Sequence, residues 1–175
     1  MSDKASGTVH ASAVLVGDRA VLIRGPSGSG KSRLAFDLIL AGRSGQIPPS
    51  ILVGDDRVHL DTSAGNLTVR PAAELAGLIE IRGLGIRQID QTREAVVGLV
   101  VDLAAADAER MPATEALTTN IDGVELPRIP VNLRDSALPL IAAALTTTAG
   151  STSSLPSADC RKGIGNHIRP TIATE

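Results

Sequence analysis

The apolar residues of this chain come in short runs broken by glycine, proline and charged residues. Residues 14–16 and 20–23 are two such runs split by Gly17, Asp18 and Arg19, a spacing that predicts a β-hairpin with a glycine-containing turn. The second run leads straight into a glycine-rich segment. Over residues 31–41, Leu34, Ala35, Phe36, Leu38, Ile39 and Ala41 recur at helical spacing, and Gly42 is a suitable C-terminal stop. The pattern is strand, loop, helix.

After the loop 45–50, the run Ile51, Leu52, Val53 and Gly54 ends at the adjacent carboxylates Asp55 and Asp56, as a buried strand with acids at its tip would. Residues 58–60 and 67–69 flank a polar turn, and 79–89 alternates short apolar runs with Gly83 and Gly85, which suits strands and tight bends. Residues 95–103 are a further apolar run, and Asp122 with Gly123 separates Ile121 from 124–126 in a hairpin. A last helix is predicted over 138–145, capped by Asp135 or Ser136, with Pro139 in its first turn. From residue 146 onward Thr, Ser, Gly and Pro dominate, and too few apolar residues cluster to offset the entropy of ordering the chain. Residues 146–175 therefore read as a disordered tail and 1–8 as a flexible N-terminus, around one domain at 9–145. The expected class is α/β, a mixed sheet with hairpins and flanking helices.

Composition narrows the function. At 175 residues and 43% apolar content the chain holds one core, and with 1% aromatics that core must be Leu, Ile, Val and Ala. A formal charge of −2 and the lack of aromatic stacking platforms argue against nucleic acid as a partner. Cys160 stands alone, which fits a reducing compartment and makes the cytoplasm the default. Neither a signal core nor an apolar run long enough for a bilayer is present, so no membrane association is expected.

The glycine-rich segment carries the chemistry. Gly25, Pro26, Ser27, Gly28, Ser29, Gly30, Lys31 and Ser32 match G-x-x-x-x-G-K-[ST] in full, between a strand and a helix as that motif requires. Glycines let the backbone curl so that successive N–H groups point inward, and the helix start adds its positive dipole end; together they cradle phosphate oxygens. Lys31 would reach the terminal phosphates, and the Ser32 hydroxyl would ligate magnesium, a hard ion that takes one or two protein oxygens. Phosphoryl transfer also needs an acid near the metal and, for a hydroxyl acceptor, a base. Two strand ends offer one: Asp55 with Asp56 after residues 51–54, and Asp102 after Leu99, Val100 and Val101. Adjacent acids can divide the tasks because consecutive residues past a strand point in different directions. Asp102 offers only one carboxylate, and an acid in a solvated turn is the better reading of it.

At this point the residues resemble the bacterial HPr kinase/phosphorylase family, specifically its C-terminal catalytic domain. The likeness runs over roughly residues 9–145 and rests on His10 ahead of the loop, the loop itself, the stretch Leu-Val-Gly-Asp-Asp at 52–56, and Leu-Ile-Glu-Ile-Arg-Gly-Leu-Gly-Ile at 78–86. The last run is far more specific than the loop. The resemblance implies a P-loop core related to phosphoenolpyruvate carboxykinase. It implies an enzyme that uses ATP and Mg2+ to phosphorylate a seryl hydroxyl on HPr or an HPr-like phosphocarrier, and inorganic phosphate to remove that group with release of pyrophosphate. By motif match Asp55 would be the base, His10 would lie beside this acid or the phosphates, and Asp56 and Glu80 would support the metal with Ser32. Arg82 would belong to the signature loop, Arg33 to the nucleotide site, and Arg134 would replace a later loop arginine; a homo-oligomer, hexameric in the family, is implied as well. His59 and His167 match nothing and read as surface residues.

Three departures matter. Relatives often carry an N-terminal domain for which this chain has no room, so a truncated form is expected. Arg33 stands where many relatives have an acid that helps the metal, and the later loop Pro-Val-Arg-Pro-Gly-Arg-Asn appears only as Pro130, Val131, Asn132, Leu133, Arg134 and Asp135. Two other readings stay open beside the kinase/phosphorylase: a P-loop kinase of a small molecule, and a non-catalytic ATP-binding sensor. A GTPase is disfavoured, since no Asn-Lys-x-Asp is present to read guanine.

Overall fold

The computed structural model describes residues 7–150, and the expectations for 1–6, 151–175, Cys160 and His167 lie outside the described residues. The strands are β1 (Thr8–Val9), β2 (Ser12–Val16), β3 (Arg19–Arg24), β4 (Ser50–Gly54), β5 (Val58–Ser63), β6 (Asn66–Pro71), β7 (Leu78–Ile81), β8 (Gly85–Gln88), β9 (Ala95–Leu103), β10 (Thr118–Ile121) and β11 (Val124–Val131). Two helices, α1 (Lys31–Arg43) and α2 (Ala137–Thr146), complete the elements that matter for the site. Thr8 is thus in a strand and Thr146 closes a helix, each one residue outside the span 9–145.

β9 organises the sheet. One edge pairs in parallel with β3, from Ala20↔Val97 to Arg24↔Asp102. Its other edge takes antiparallel β6 at the start, through Thr68↔Val96 and Val69↔Ala95, and parallel β11 at the end, from Arg128↔Val100 to Val131↔Leu103. The main path runs β1-β5-β6-β9-β3-β2-β4, the β10–β11 hairpin joins through β11, and β7–β8 forms a two-stranded sheet of its own. This is a mixed α/β fold.

Both faces of the central strands are covered, which is why they read as continuous apolar runs rather than as alternating ones. Val14, Val16, Val21, Ile23, Leu99, Val101 and Leu103 pack toward α1 and α2, against Leu34, Ala35, Leu38, Ile39 and Ile141. Ala13, Ala20, Leu22, Val97 and Val100 join Val58, Leu67, Val69 and Leu126 in a second cluster. Leu22, Ile23, Leu38, Leu52 and Leu67 are among the fully buried side chains; burial of each such side chain contributes about 1.5–3 kcal/mol.

The helix ends follow local chemistry. Gly42 lies inside α1 and does not stop it; a Cβ there would come within 2.6 Å of Ser50 Oγ and 2.7 Å of Ser50 N, so glycine lets the helix cross the start of β4. The stop is supplied by Ser44, followed by Gly45 at φ 74. Ser136 is the N-cap of α2 without a side-chain capping bond. Pro139 sits in that first turn, where a missing N–H leaves no helical bond unmade. His59 is half-buried on β5 opposite Thr8 and Arg70. No helix among the described residues is long and apolar enough to cross a membrane.

Candidate active site

β3 ends at Arg24, and the glycine-rich loop carries the chain into α1. Gly30 is the N-cap at φ 97, a left-handed conformation that a side chain would strain, and its carbonyl accepts the first helical bond from Leu34 N–H at 2.9 Å. No side chain caps this end and its first turn holds no acid. The leading N–H groups of the helix therefore keep their positive end for an external anion. Lys31 is buried, 6% exposed, with Nζ donating to the carbonyls of Gly25 at 3.0 Å and Pro26 at 3.1 Å. These are weak acceptors for a full cation, so an anion at the loop would compete for it readily.

Opposite stands the tip of β4. Arg57 N–H donates to the Asp55 carbonyl at 2.8 Å across Asp56, whose φ is 64. This three-residue γ-turn is of the rare, strained kind, and it turns the two aspartates in opposite directions. Asp55 goes inward: it is 3% exposed, accepts from Ser12 Oγ at 2.6 Å on Oδ1, and from Glu80 N–H at 3.1 Å on Oδ2. Asp56 goes outward, 59% exposed, with Oδ1 3.2 Å from His10 Nε2 and Oδ2 3.8 Å from Arg57 Nε.

A cavity of about 720 Å3 joins these parts, lined by Ser27, Gly28, Gly30, Lys31 and Ser32 on the loop side and by His10, Asp56, Glu80 and Arg82 across from it. Asp55 does not line it. Asp55 is thus buried with one hydrogen bond on each oxygen, and of the two adjacent acids it is Asp56 that lines the cavity, with His10 at its side. Arg33 also lines the cavity, but its Nε is held by Asp37 one helical turn on, at 3.1 and 3.0 Å. Arg134 does not line it; its N–H donates to Asn132 Oδ1 at 3.2 Å in the turn before α2.

Sequence reasoning missed Phe36, Asp37, Leu40 and Ile81, which also line the cavity. For the helical three, spacing along α1 was the available signal: 33, 36, 37 and 40 share one face. The donors suit the groups the sequence called for. The uncapped helix start and Lys31 fit phosphate, and the Ser32 hydroxyl with the Asp56 and Glu80 carboxylates are hard oxygen donors. Among the described residues no three His, Cys, Asp or Glu side chains converge as a metal cluster.

Asp102, the other strand-end acid, is engaged elsewhere. It accepts from Arg24 Nε at 2.7 Å and Nη2 at 2.8 Å, and from Arg128 Nε at 2.6 Å, while Arg128 also donates to Asp107 and to the Ala116 carbonyl. Partial burial pushes the Asp102 carboxyl up, but the hydrogen bonds and charges of the two arginines outweigh it and hold it below the ordinary aspartate value. The hydrogen bond from Arg128 lowers Asp107 as well, and bonding to Asp107 and then Asp102 raises Arg128. This network fastens the end of β3, where the loop begins, to β9 and β11.

Fold and site together define a mixed α/β domain whose glycine-rich strand–loop–helix shares a cavity with the strand-end acid Asp56 and with Glu80. Residues 4–158 match the model of the HPr Serine kinase C-terminal domain, and the chain belongs to that family. It is 32% identical over 150 residues to an HPr kinase/phosphorylase of Mycoplasma mycoides, covering 78% of this chain and 46% of that protein. The same identity holds over 144 residues with an HPr kinase/phosphorylase of Neisseria meningitidis, covering 78% and 42%. The chain thus spans less than half the length of these curated relatives. The solved structure of the Hpr(Ser) kinase/phosphatase from Coxiella burnetii aligns with a TM-score of 0.61 at 28% identity, over 79% of this chain and 92% of that one.

Proposed function

We propose that this domain transfers the terminal phosphoryl group of Mg-ATP to a seryl hydroxyl of HPr or an HPr-like phosphocarrier, and removes it by phosphorolysis. The observation that carries this reading is one cavity with the loop, Lys31 and Ser32 on one wall and His10, Asp56 and Glu80 on the other. Backbone N–H groups of the loop and Lys31 hold the phosphates in line. Magnesium, when bound, neutralises charge on the transferring group, with Ser32 and Glu80 as its protein oxygens and Asp56 within its surroundings. Asp56 takes the seryl proton as the serine oxygen bonds to phosphorus and the bond to the ADP oxygen breaks. In reverse, inorganic phosphate gives its proton to Asp56 and its oxygen attacks the phosphoserine phosphorus, pyrophosphate forms as the phosphorus–serine oxygen bond breaks, and Asp56 passes the proton to the serine oxygen. His10 orients Asp56 through its 3.2 Å contact. The family resemblance supports the partner, and assembly as a hexamer is proposed on that ground alone.

Incubation with HPr, labelled ATP and magnesium tests the reading. Label on an HPr serine, recovered as pyrophosphate when excess phosphate is added, is the expected result. Label on a metabolite would instead support a small-molecule kinase, and nucleotide binding without transfer would support a sensor.

A further inference from the structure

Ser12 has no place in the roles above, yet among the described residues it is one of the few that are polar and buried, 0% exposed between Ala11 and Ala13, each no more than 1% exposed. A hydroxyl in such a site costs stability unless it is hydrogen-bonded, and alanine or valine would suit the strand better. Its bond is the 2.6 Å donation to Asp55 Oδ1. The other oxygen of Asp55 receives Glu80 N–H at 3.1 Å. One carboxylate therefore ties β2, the tip of β4 and β7 together.

The tie matters because β7–β8 lies outside the main sheet. The buried Ile79 side chain holds this hairpin down, and past its far end Thr92 N–H donates to the Leu52 carbonyl at 2.8 Å. Glu80 faces Ile86 within the hairpin, but its N–H is spent on Asp55. That bond fixes how β7 is rotated where Glu80 lines the cavity opposite Ser32. Without the Ser12 hydroxyl, Oδ1 would be a buried anionic oxygen with no donor, and the carboxylate would turn to find another, leaving Glu80 N–H.

We propose that Ser12 is a positioning residue that sets Glu80 through Asp55, and so sets the second oxygen donor of the cation site. The role in magnesium binding rests on the function proposed above; the mechanical link from Ser12 to Glu80 does not. Two measurements on the full chain separate them. The first is amide hydrogen exchange at Glu80 by NMR without ligand: Ser12→Ala should speed it at least tenfold, and Ser12→Thr, which keeps the hydroxyl, should restore most of the protection. The second is calorimetric titration of ADP at varied magnesium. Ser12→Ala should raise the half-saturating magnesium concentration at least fivefold while metal-free ADP affinity stays within twofold.

Val14→Ala, a core truncation on the same strand, is the control for loosening in general and should move neither readout even at a larger loss of Tm. Unchanged Glu80 exchange in Ser12→Ala overturns the proposal, as does an equal acceleration in Val14→Ala. Absence of magnesium-dependent ADP binding by the wild-type chain would instead remove the function proposed above, while Glu80 exchange would still report the link.

Discussion

Replacing Asp102 by Asn separates a structural acid from a catalytic one. Asp102 accepts three charge-assisted hydrogen bonds from two guanidinium groups and is 16% exposed. Asn keeps one acceptor oxygen but turns an N–H2 toward a cation. Breaking a buried pair costs about 3–5 kcal/mol. Here Arg24 is 34% exposed and regains water, and Arg128 keeps Asp107 and the Ala116 carbonyl, which offset part of the loss. A destabilisation of about 2 kcal/mol remains after that discount, or roughly 4–8 °C in Tm for a domain of this size.

The pH dependence has a definite sign. The folded-state pKa of Asp102 is lowered, so its contribution is complete above the unfolded value and is lost as pH falls through the folded one. Thermal unfolding of the wild type and Asp102→Asn, followed by circular dichroism, should show a Tm gap that is constant from pH 8 to about pH 5 and narrows only below about pH 4. Nucleotide affinity should stay within a few fold. Unchanged Tm with lost transfer would refute the reasoning and make Asp102 a metal or catalytic acid; a gap closing between pH 7 and 5 would show that another group titrates.

Other substitutions probe the remaining parts. Lys31→Met removes the cation that rests on the Gly25 and Pro26 carbonyls; transfer to HPr should fall by at least about 100-fold with Tm nearly unchanged, as read by phosphoprotein gels and calorimetry. Asp56→Asn should abolish transfer in both directions at near-wild-type Tm, whereas Asp55→Asn should lower Tm by several degrees, because the amide loses the charge that strengthens both bonds and, with its oxygen on Glu80 N–H, makes Ser12 Oγ accept and leaves the buried Ser12 O–H without its carboxylate; the reverse pattern would return the base to Asp55. Gly42→Ala improves helix propensity yet should destabilise by about 1–3 kcal/mol in denaturant titration, since the new methyl meets Ser50 at 2.6–2.7 Å.

Local pattern made much of the fold legible. The β2–β3 hairpin, α1, the β4 strand with its acids and the β10–β11 hairpin all follow from apolar spacing and turn residues within about ten positions of one another. What spacing could not reveal depends on distant partners. Arg24 and Arg128 lie 78 and 26 residues from Asp102, so nothing beside that acid marks it as paired. Gly42 looks like a helix stop in sequence, and only the crossing of β4 at Ser50 makes it a packing glycine. Likewise β9 reads as one apolar run, although its outer edge is shared between two different strands.

The division between Asp55 and Asp56 shows how such long-range contacts decide chemistry. A strand alone would send the two side chains to opposite faces, and either could serve the cavity. A left-handed Asp56 costs of order 1–2 kcal/mol. The turn persists because Ser12 Oγ and Glu80 N–H anchor Asp55 on one side, while Ala72 N–H donates to the Arg57 carbonyl at 3.1 Å on the other. With both flanks fixed, the residue between them has no lower-energy path, and its carboxylate is held out in the cavity beside His10. Burial of one acid is thus the physical reason that its neighbour faces the cavity.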